Sequence, residues 1–122
     1  MAVSLTKPAT VRDLVAAIQR DVRETEDLTP QQAAHHLAHL TALLGNCAVE
    51  IREADLEYAR VLLRCLESSE AANRAKIRAE ITPEYQRKRE ARDTKELVIE
   101  LIRSLKVILR AQEEEMRLAG RP

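Results

Sequence analysis

The spacing of apolar residues predicts a long helix in the first half of the chain. Apolar positions alternate in steps of three and four from Leu37 to Cys65. Such a repeat is typical of a helix packed lengthwise against another helix. Thr29-Pro30 adds an N-cap followed by proline at the first helical position, so we expect a helix over 29–67. The repeat consists of Leu37, Leu40, Leu44, Cys47, Ile51, Ala54, Tyr58, Val61 and Cys65.

A second long helix is predicted in the last third of the chain. Thr82-Pro83 repeats the same start signal, and Gly120 is placed as a C-cap, which indicates a helix over 83–119. An Ala-rich segment over 70–81 is expected to form a short connecting helix. Two long helices of nearly equal length, each about 55 Å at 1.5 Å per residue, then form an antiparallel hairpin.

The beginning of the chain predicts one more short helix. Thr10 and Asp13 stand at capping-box spacing, and narrow apolar periodicity follows, so we expect a flexible segment over 1–9 and a helix over 10–23. The predicted fold class is therefore all-α: a single domain, 1–122, built on a long, coiled-coil-like helical hairpin. Composition supports this prediction, because the chain has two Gly, no Phe and no Trp.

One apolar row does not belong to the contact between the two long helices. With Leu37 at heptad position a, four apolar residues fall at position f, where a two-helix coil normally exposes polar side chains. We expect this f row to be a self-association or partner face, and the protein to be a homo-oligomer, because apolar patches of this size are uncommon on monomers. The alternative is that the first and connecting helices cover the row. The f row consists of Ala42, Val49, Leu56 and Leu63.

Gly45-Asn46 interrupts the long repeat without changing its phase. Glycine costs about 1 kcal/mol inside a helix, so its presence needs a reason. A close helix crossing at Gly45 is one interpretation, and a kink is the other.

Positive charge is concentrated where the connecting helix meets the last helix. Twenty basic residues balance twenty acidic ones overall, but residues 70–95 carry eight basic and five acidic side chains. At one end of a hairpin they would form a basic tip able to contact phosphates or an acidic protein, or else a solvated, ion-paired helix. The basic tip consists of Arg74, Lys76, Arg78, Arg87, Lys88, Arg89, Arg92 and Lys95.

Residues with catalytic or metal-binding potential form no recognisable motif. His35, His36 and His39 lack the glutamate of a metalloprotease motif, so a solvated trio is expected, with an adventitious or intersubunit metal site as the alternative. The acidic run 113–115 is either solvated or a partner contact. No phosphate-binding glycine loop or nucleophile elbow occurs. We therefore expect no enzyme activity, no resident metal and no cofactor.

The ends of the chain and its cysteines bear on location. The N-terminus lacks the apolar segment of a signal peptide, and no apolar run is long enough to span a bilayer, so we expect a cytoplasmic protein without a membrane partner. Cys47 and Cys65 lie too far apart on one helix for a disulfide and are expected to be buried thiols.

The general sequence pattern of residues 47–119 resembles that of small all-helical proteins encoded in bacteriophage early or recombination gene clusters. The resemblance lies in the Ala-rich connector, in Glu84-Tyr85-Gln86-Arg87-Lys88, and in the ending from Ile102 to Leu118. It implies an accessory factor of nucleic-acid transactions, acting in the cytoplasm of a bacterial host. The first alternative is an inhibitor or adaptor that docks a host protein complex, and the second is a virion structural or assembly component.

Overall fold

The computed structural model of the chain describes residues 9–68 and 71–120, so the segment predicted to be flexible, 1–9, lies outside them except for its last residue. These residues form four helices and no strand: α1 (Val11–Glu24), α2 (Pro30–Ser68), α3 (Ala72–Glu80) and α4 (Pro83–Ala119). Helices α2 and α4 pack extensively along one another, which confirms the predicted all-α hairpin. None of the helices in this part of the chain is long and apolar enough to cross a membrane.

Threonine begins the first, second and fourth helices. Thr10 and Asp13 form a reciprocal capping box, with bonds of 3.1 and 3.2 Å between each side chain and the other residue's backbone N–H. Thr29 and Gln32 form the same arrangement at 3.0 and 3.1 Å. The Thr82 hydroxyl accepts the backbone N–H three residues later. These bonds satisfy donors that the first turn of a helix leaves unpaired, so the helix starts are set locally.

The main core lies where α1 covers the groove between α2 and α4. Its buried members come from all three helices, and the most deeply buried large side chains are Leu40, Leu105, Val15 and Val98. A smaller cluster forms at the other end, where Ala79 of α3 packs on Tyr58 and Val61 of α2. The short helices therefore cover opposite ends of the hairpin.

Polar contacts fix the register of α2 against α4. Near the open end, the Gln112 side-chain amide donates to the carbonyl of Leu28 at 2.6 Å. Farther along, Arg87 pairs with Glu50 at 2.9 Å, and Arg92 pairs with Asp55 at 2.8 Å. The end of α4 thus meets the start of α2, whereas Arg87 and Arg92, early in α4, pair with residues well along α2, so the two helices are antiparallel.

Gly45 lies within an unbroken α2. A Cβ added there would have no atom within 4 Å, so the predicted close crossing within the chain is wrong. The helix also continues without interruption through Gly45-Asn46. Within one copy of the chain, this glycine therefore costs helix stability without allowing any close approach.

Candidate interaction surface

The f row is exposed on the outer side of α2. Val49, Leu56 and Leu63 keep 47%, 52% and 56% of their surface accessible. The alternative in which the short helices cover the row is wrong, because α1 packs on the side of α2 that carries His36 and Leu43. α1 buries its own apolar stripe in the groove between the long helices, and from there it cannot reach the f row.

The f row is one half of a longer stripe that sequence reasoning missed. The neighbouring heptad positions on the same side of α2 are also apolar and exposed, apart from one arginine. Together the two sets repeat in steps of four and three, which is the spacing of a second helix-packing face. This spacing can be read from the sequence and would have identified the whole stripe. This outer stripe consists of Ala38, Ala42, Gly45, Val49, Arg52, Leu56, Ala59, Leu63 and Leu66, all exposed.

Side-chain size is distributed unevenly along the outer stripe. Its first three residues, Ala38, Ala42 and Gly45, are all small, whereas the part from Leu56 onward contains three leucines and one alanine. Small residues allow another helix to approach closely, and branched residues project as knobs. The stripe therefore has a flat end and a projecting end.

In the basic tip, Arg87 lies in the contact between α2 and α4. Its guanidinium bonds Glu50 at 2.9 Å and Glu57 at 2.5 Å, and it lies 3.7 Å from Glu53. The hydrogen bonds to Glu57 and Glu50 raise the pKa of Arg87 above its ordinary high value. Its charge is thus already neutralised by the hairpin itself, which leaves it poorly placed to bind a phosphate.

Two further members of the basic tip, Lys88 and Arg92, also make contacts within the chain. The Lys88 ammonium lies 4.6 Å from the centroid of the Tyr58 ring, and Arg92 pairs with Asp55. Tyr85 packs against Tyr58 with ring centroids 5.3 Å apart, so it is not a free stacking platform. Burial raises the pKa of the Tyr58 hydroxyl, and the charge of Glu80 adds to that increase.

The rest of the basic tip faces solvent. Its members make no ion pair with another described residue, and three of them lie together on α3. This reduced set consists of Arg74, Lys76, Arg78, Arg89 and Lys95.

The three histidines do not form one solvated group. His36 is mostly covered and its Nε2 lies 2.6 Å from the Asp21 carboxylate, which joins α2 to α1. His35 and His39 are exposed, with ring centroids 6.4 Å apart. In the described ranges, no three His, Cys, Asp or Glu side chains come together as a metal site. His36 therefore has a structural contact that the sequence did not predict.

A cavity of about 350 Å³ lies between the start of α1 and the two long helices. Cys47 lines it together with Glu50, Arg87 and Glu90. Most of its charged side chains are already paired, since Arg12 bonds Glu90 at 2.9 Å and Arg87 bonds Glu50. Burial raises the pKa of the Cys47 thiol, which disfavours the reactive thiolate.

The remaining sequence features are exposed or partly buried. The acidic run Glu113, Glu114 and Glu115 is exposed, and Glu114 pairs with Arg117 at 2.7 Å. Cys65 is a partly buried free thiol, and Cys47 is a buried one. Neither the acidic run nor the cysteines contribute to the outer stripe.

Comparison of the chain with protein-family models, with curated proteins and with solved structures finds no match.

Proposed function

We propose that the protein is a non-enzymatic helical adaptor that docks a helical protein partner through the outer stripe of α2. The observation that carries this proposal is the exposure of a second apolar repeat on a helix whose first repeat is already buried against α4. A helix with apolar faces on both sides is suited to packing between two neighbours.

The stripe is large enough to contribute to binding. Four of its side chains, Val49, Leu56, Leu63 and Leu66, are each roughly half exposed. Full burial of such a side chain is worth about 1.5–3 kcal/mol, so covering the exposed half of each contributes about 1 kcal/mol. Four of them supply about 4 kcal/mol per chain before the cost of association.

The test is a pull-down with a tagged copy of the protein as bait, from an extract of cells that also produce the untagged chain. Leu56→Asp plus Leu63→Asp should abolish capture of the partner, because charges would have to be buried in an apolar contact. Helix content measured by circular dichroism should not change, since both side chains are exposed in the free chain.

The matched control places two aspartates at exposed apolar positions of α4. Val107 and Met116 are 64% and 69% exposed, so Val107→Asp plus Met116→Asp adds the same charge outside the stripe. Capture should be retained in this variant. Equal loss of partner in both variants would contradict the assignment of the surface.

A second candidate function is contact with nucleic acid, as the resemblance to phage accessory factors implies. The observation in its favour is the solvent exposure of Arg74, Lys76 and Arg78 on α3 together with Arg89 of α4. Arg and Lys side chains bind phosphates without reading sequence. This function would use the end of the hairpin and leave the outer stripe free.

Nucleic-acid binding through α3 should depend steeply on salt. With about four phosphate contacts, the affinity for duplex DNA should fall on the order of 100-fold between 50 and 200 mM salt. Substituting Arg74, Lys76 and Arg78 together by alanine should remove most of the binding in a fluorescence anisotropy titration. Substituting Arg103, Lys106 and Arg110 of α4, which are also exposed, is the charge-matched control. Binding that ignores salt, or that is lost equally in both variants, would rule out this function.

A further inference from the structure

We propose that the outer stripe binds a second copy of this chain, with the two α2 helices antiparallel about a two-fold axis at the level of Ala54. This inference rests on the proposed function, because it names the occupant of the same surface. It follows from three features of the stripe: the order of large and small residues, an otherwise unexplained glycine, and a charged pair.

The order of side-chain sizes favours antiparallel self-pairing. When two stripes run in opposite directions about this axis, a residue before Ala54 in one copy faces a residue equally far after Ala54 in the other copy. A branched or long side chain then faces a small one in three layers, and Arg52 faces Leu56 in the central layer. The symmetry repeats each layer on the other side of the axis, as an isologous interface requires. The layers are Ala42 with Leu66, Gly45 with Leu63, Val49 with Ala59, and Arg52 with Leu56.

The second copy accounts for Gly45. Nothing in its own chain lies within 4 Å of a Cβ at this position, although glycine weakens the middle of α2. In the antiparallel pair, Leu63 of the second copy projects onto Gly45, and the missing side chain makes room for it. A parallel pair in register would instead place Gly45 on Gly45, Leu56 on Leu56 and Arg52 on Arg52. That arrangement leaves a gap between the two Gly45 residues, and it places the two Arg52 charges against each other, where they repel.

Charge complementarity supports the same register. Arg52 is the only charged residue of the stripe, and it has no ion-pair partner among the described residues of its own chain. Opposite Leu56 of the second copy, it lies one turn from Glu53 of that copy. The Glu53 side chain is 60% exposed, and its contact with Arg87 is long, at 3.7 Å. A carboxylate oxygen of Glu53 therefore remains available to Arg52 of the second copy. The two-fold axis forms this Arg52–Glu53 pair twice.

The size of the contact sets its expected strength. The span from Ala42 to Leu66 is about 36 Å long at 1.5 Å per residue. Two helices in contact over that length correspond to the lower end of specific interfaces, about 1,200 Å² in total. Contacts of this size are typical of weak association, and the exposed apolar side chains supply little beyond its cost, so we expect a reversible dimer with a dissociation constant on the order of 100 µM.

Sedimentation velocity of the full chain from about 1 to 300 µM, a range that brackets that constant, tests the dimer directly. The parent chain and Val107→Asp plus Met116→Asp should shift from monomer to dimer with rising concentration. Leu56→Asp plus Leu63→Asp should remain monomeric throughout. A parent chain that stays monomeric at the highest concentration, or a stripe variant that still dimerises, would overturn the proposal.

Gly45→Leu distinguishes the proposed packing from nonspecific hydrophobic association. The substitution adds apolar surface and improves helix propensity, so the melting temperature of the dilute protein should rise. Dimer affinity should nevertheless fall at least tenfold, because the new side chain occupies the space of Leu63 of the second copy. Stronger self-association of Gly45→Leu would show that the contact is not the one proposed.

The register is tested by disulfide formation in a chain carrying Cys47→Ala and Cys65→Ala. Ala42→Cys and Leu66→Cys versions should cross-link rapidly when mixed, because these positions share a layer in the antiparallel pair. Each version alone should cross-link slowly. Fast cross-linking of Ala42→Cys with itself would indicate a parallel pair and refute the proposed arrangement.

Sedimentation and the pull-down together distinguish a wrongly assigned occupant from a wrongly assigned surface. If the chain is monomeric but the stripe variant still loses a captured protein in the pull-down, the stripe docks a different partner. If the stripe variant behaves like the parent in both experiments, the surface itself is wrongly assigned.

Discussion

Leu40→Ala should lower the free energy of unfolding by about 3 kcal/mol. Leu40 is fully buried where α1 covers the groove between α2 and α4. Truncation removes the transfer free energy of the deleted carbons and leaves a cavity that the surrounding core side chains fill only in part. The loss is a large share of the 5–15 kcal/mol that stabilises an ordinary domain.

Thermal and urea unfolding followed by circular dichroism measure this effect. The melting temperature should fall on the order of 10 °C for a domain of this size. Val107→Ala, at a site that is 64% exposed, serves as the control and should change stability by less than about 0.5 kcal/mol. A small effect of Leu40→Ala would mean that α1 does not close the core in solution.

Arg87→Met should destabilise the hairpin by about 1–2 kcal/mol, the value for charge-assisted hydrogen bonds reduced for partial exposure. Arg87 joins α4 to Glu50 and Glu57 of α2, and its side chain keeps 35% of its surface exposed. Methionine preserves the aliphatic length of the side chain. The substitution therefore removes mainly the charge and leaves neighbouring carboxylates to repel each other.

Salt and a neighbouring arginine provide the controls for Arg87→Met. The difference in free energy of unfolding from the parent should shrink in 1 M salt, where the repulsion among the glutamates is screened. Arg89→Met, at an exposed position two residues later, should leave stability unchanged. Equal effects of the two substitutions would contradict a structural role for Arg87 and would place it with the solvent-facing residues of the basic tip.

The contrast between Arg87 and Arg89 shows how much of the candidate site was predictable. In the sequence they are equivalent members of one basic segment, because charge composition carries no information about direction around a helix. Only packing reveals that Arg87 points at three glutamates of α2 and that Arg89 does not. The f row was predictable because heptad phase does carry that directional information.

The sequence by itself determined the elements of this protein and their pairing. The threonine caps at Thr10, Thr29 and Thr82 are local signals, and the repeat from Leu37 to Cys65 places one face of α2 against a second long helix. Such features depend on residues within a few turns of each other, so their spacing can be read directly.

The tertiary structure alone decided where the short helices lie and therefore which surface remains open. α1 carries a single apolar stripe that could have packed on either side of α2, and the choice depends on complementarity with side chains far away in sequence. It packs in the groove above Leu40 and Leu105, and His36 pairs with its Asp21. The outer stripe stays exposed as a result, and Gly45 is left facing open space.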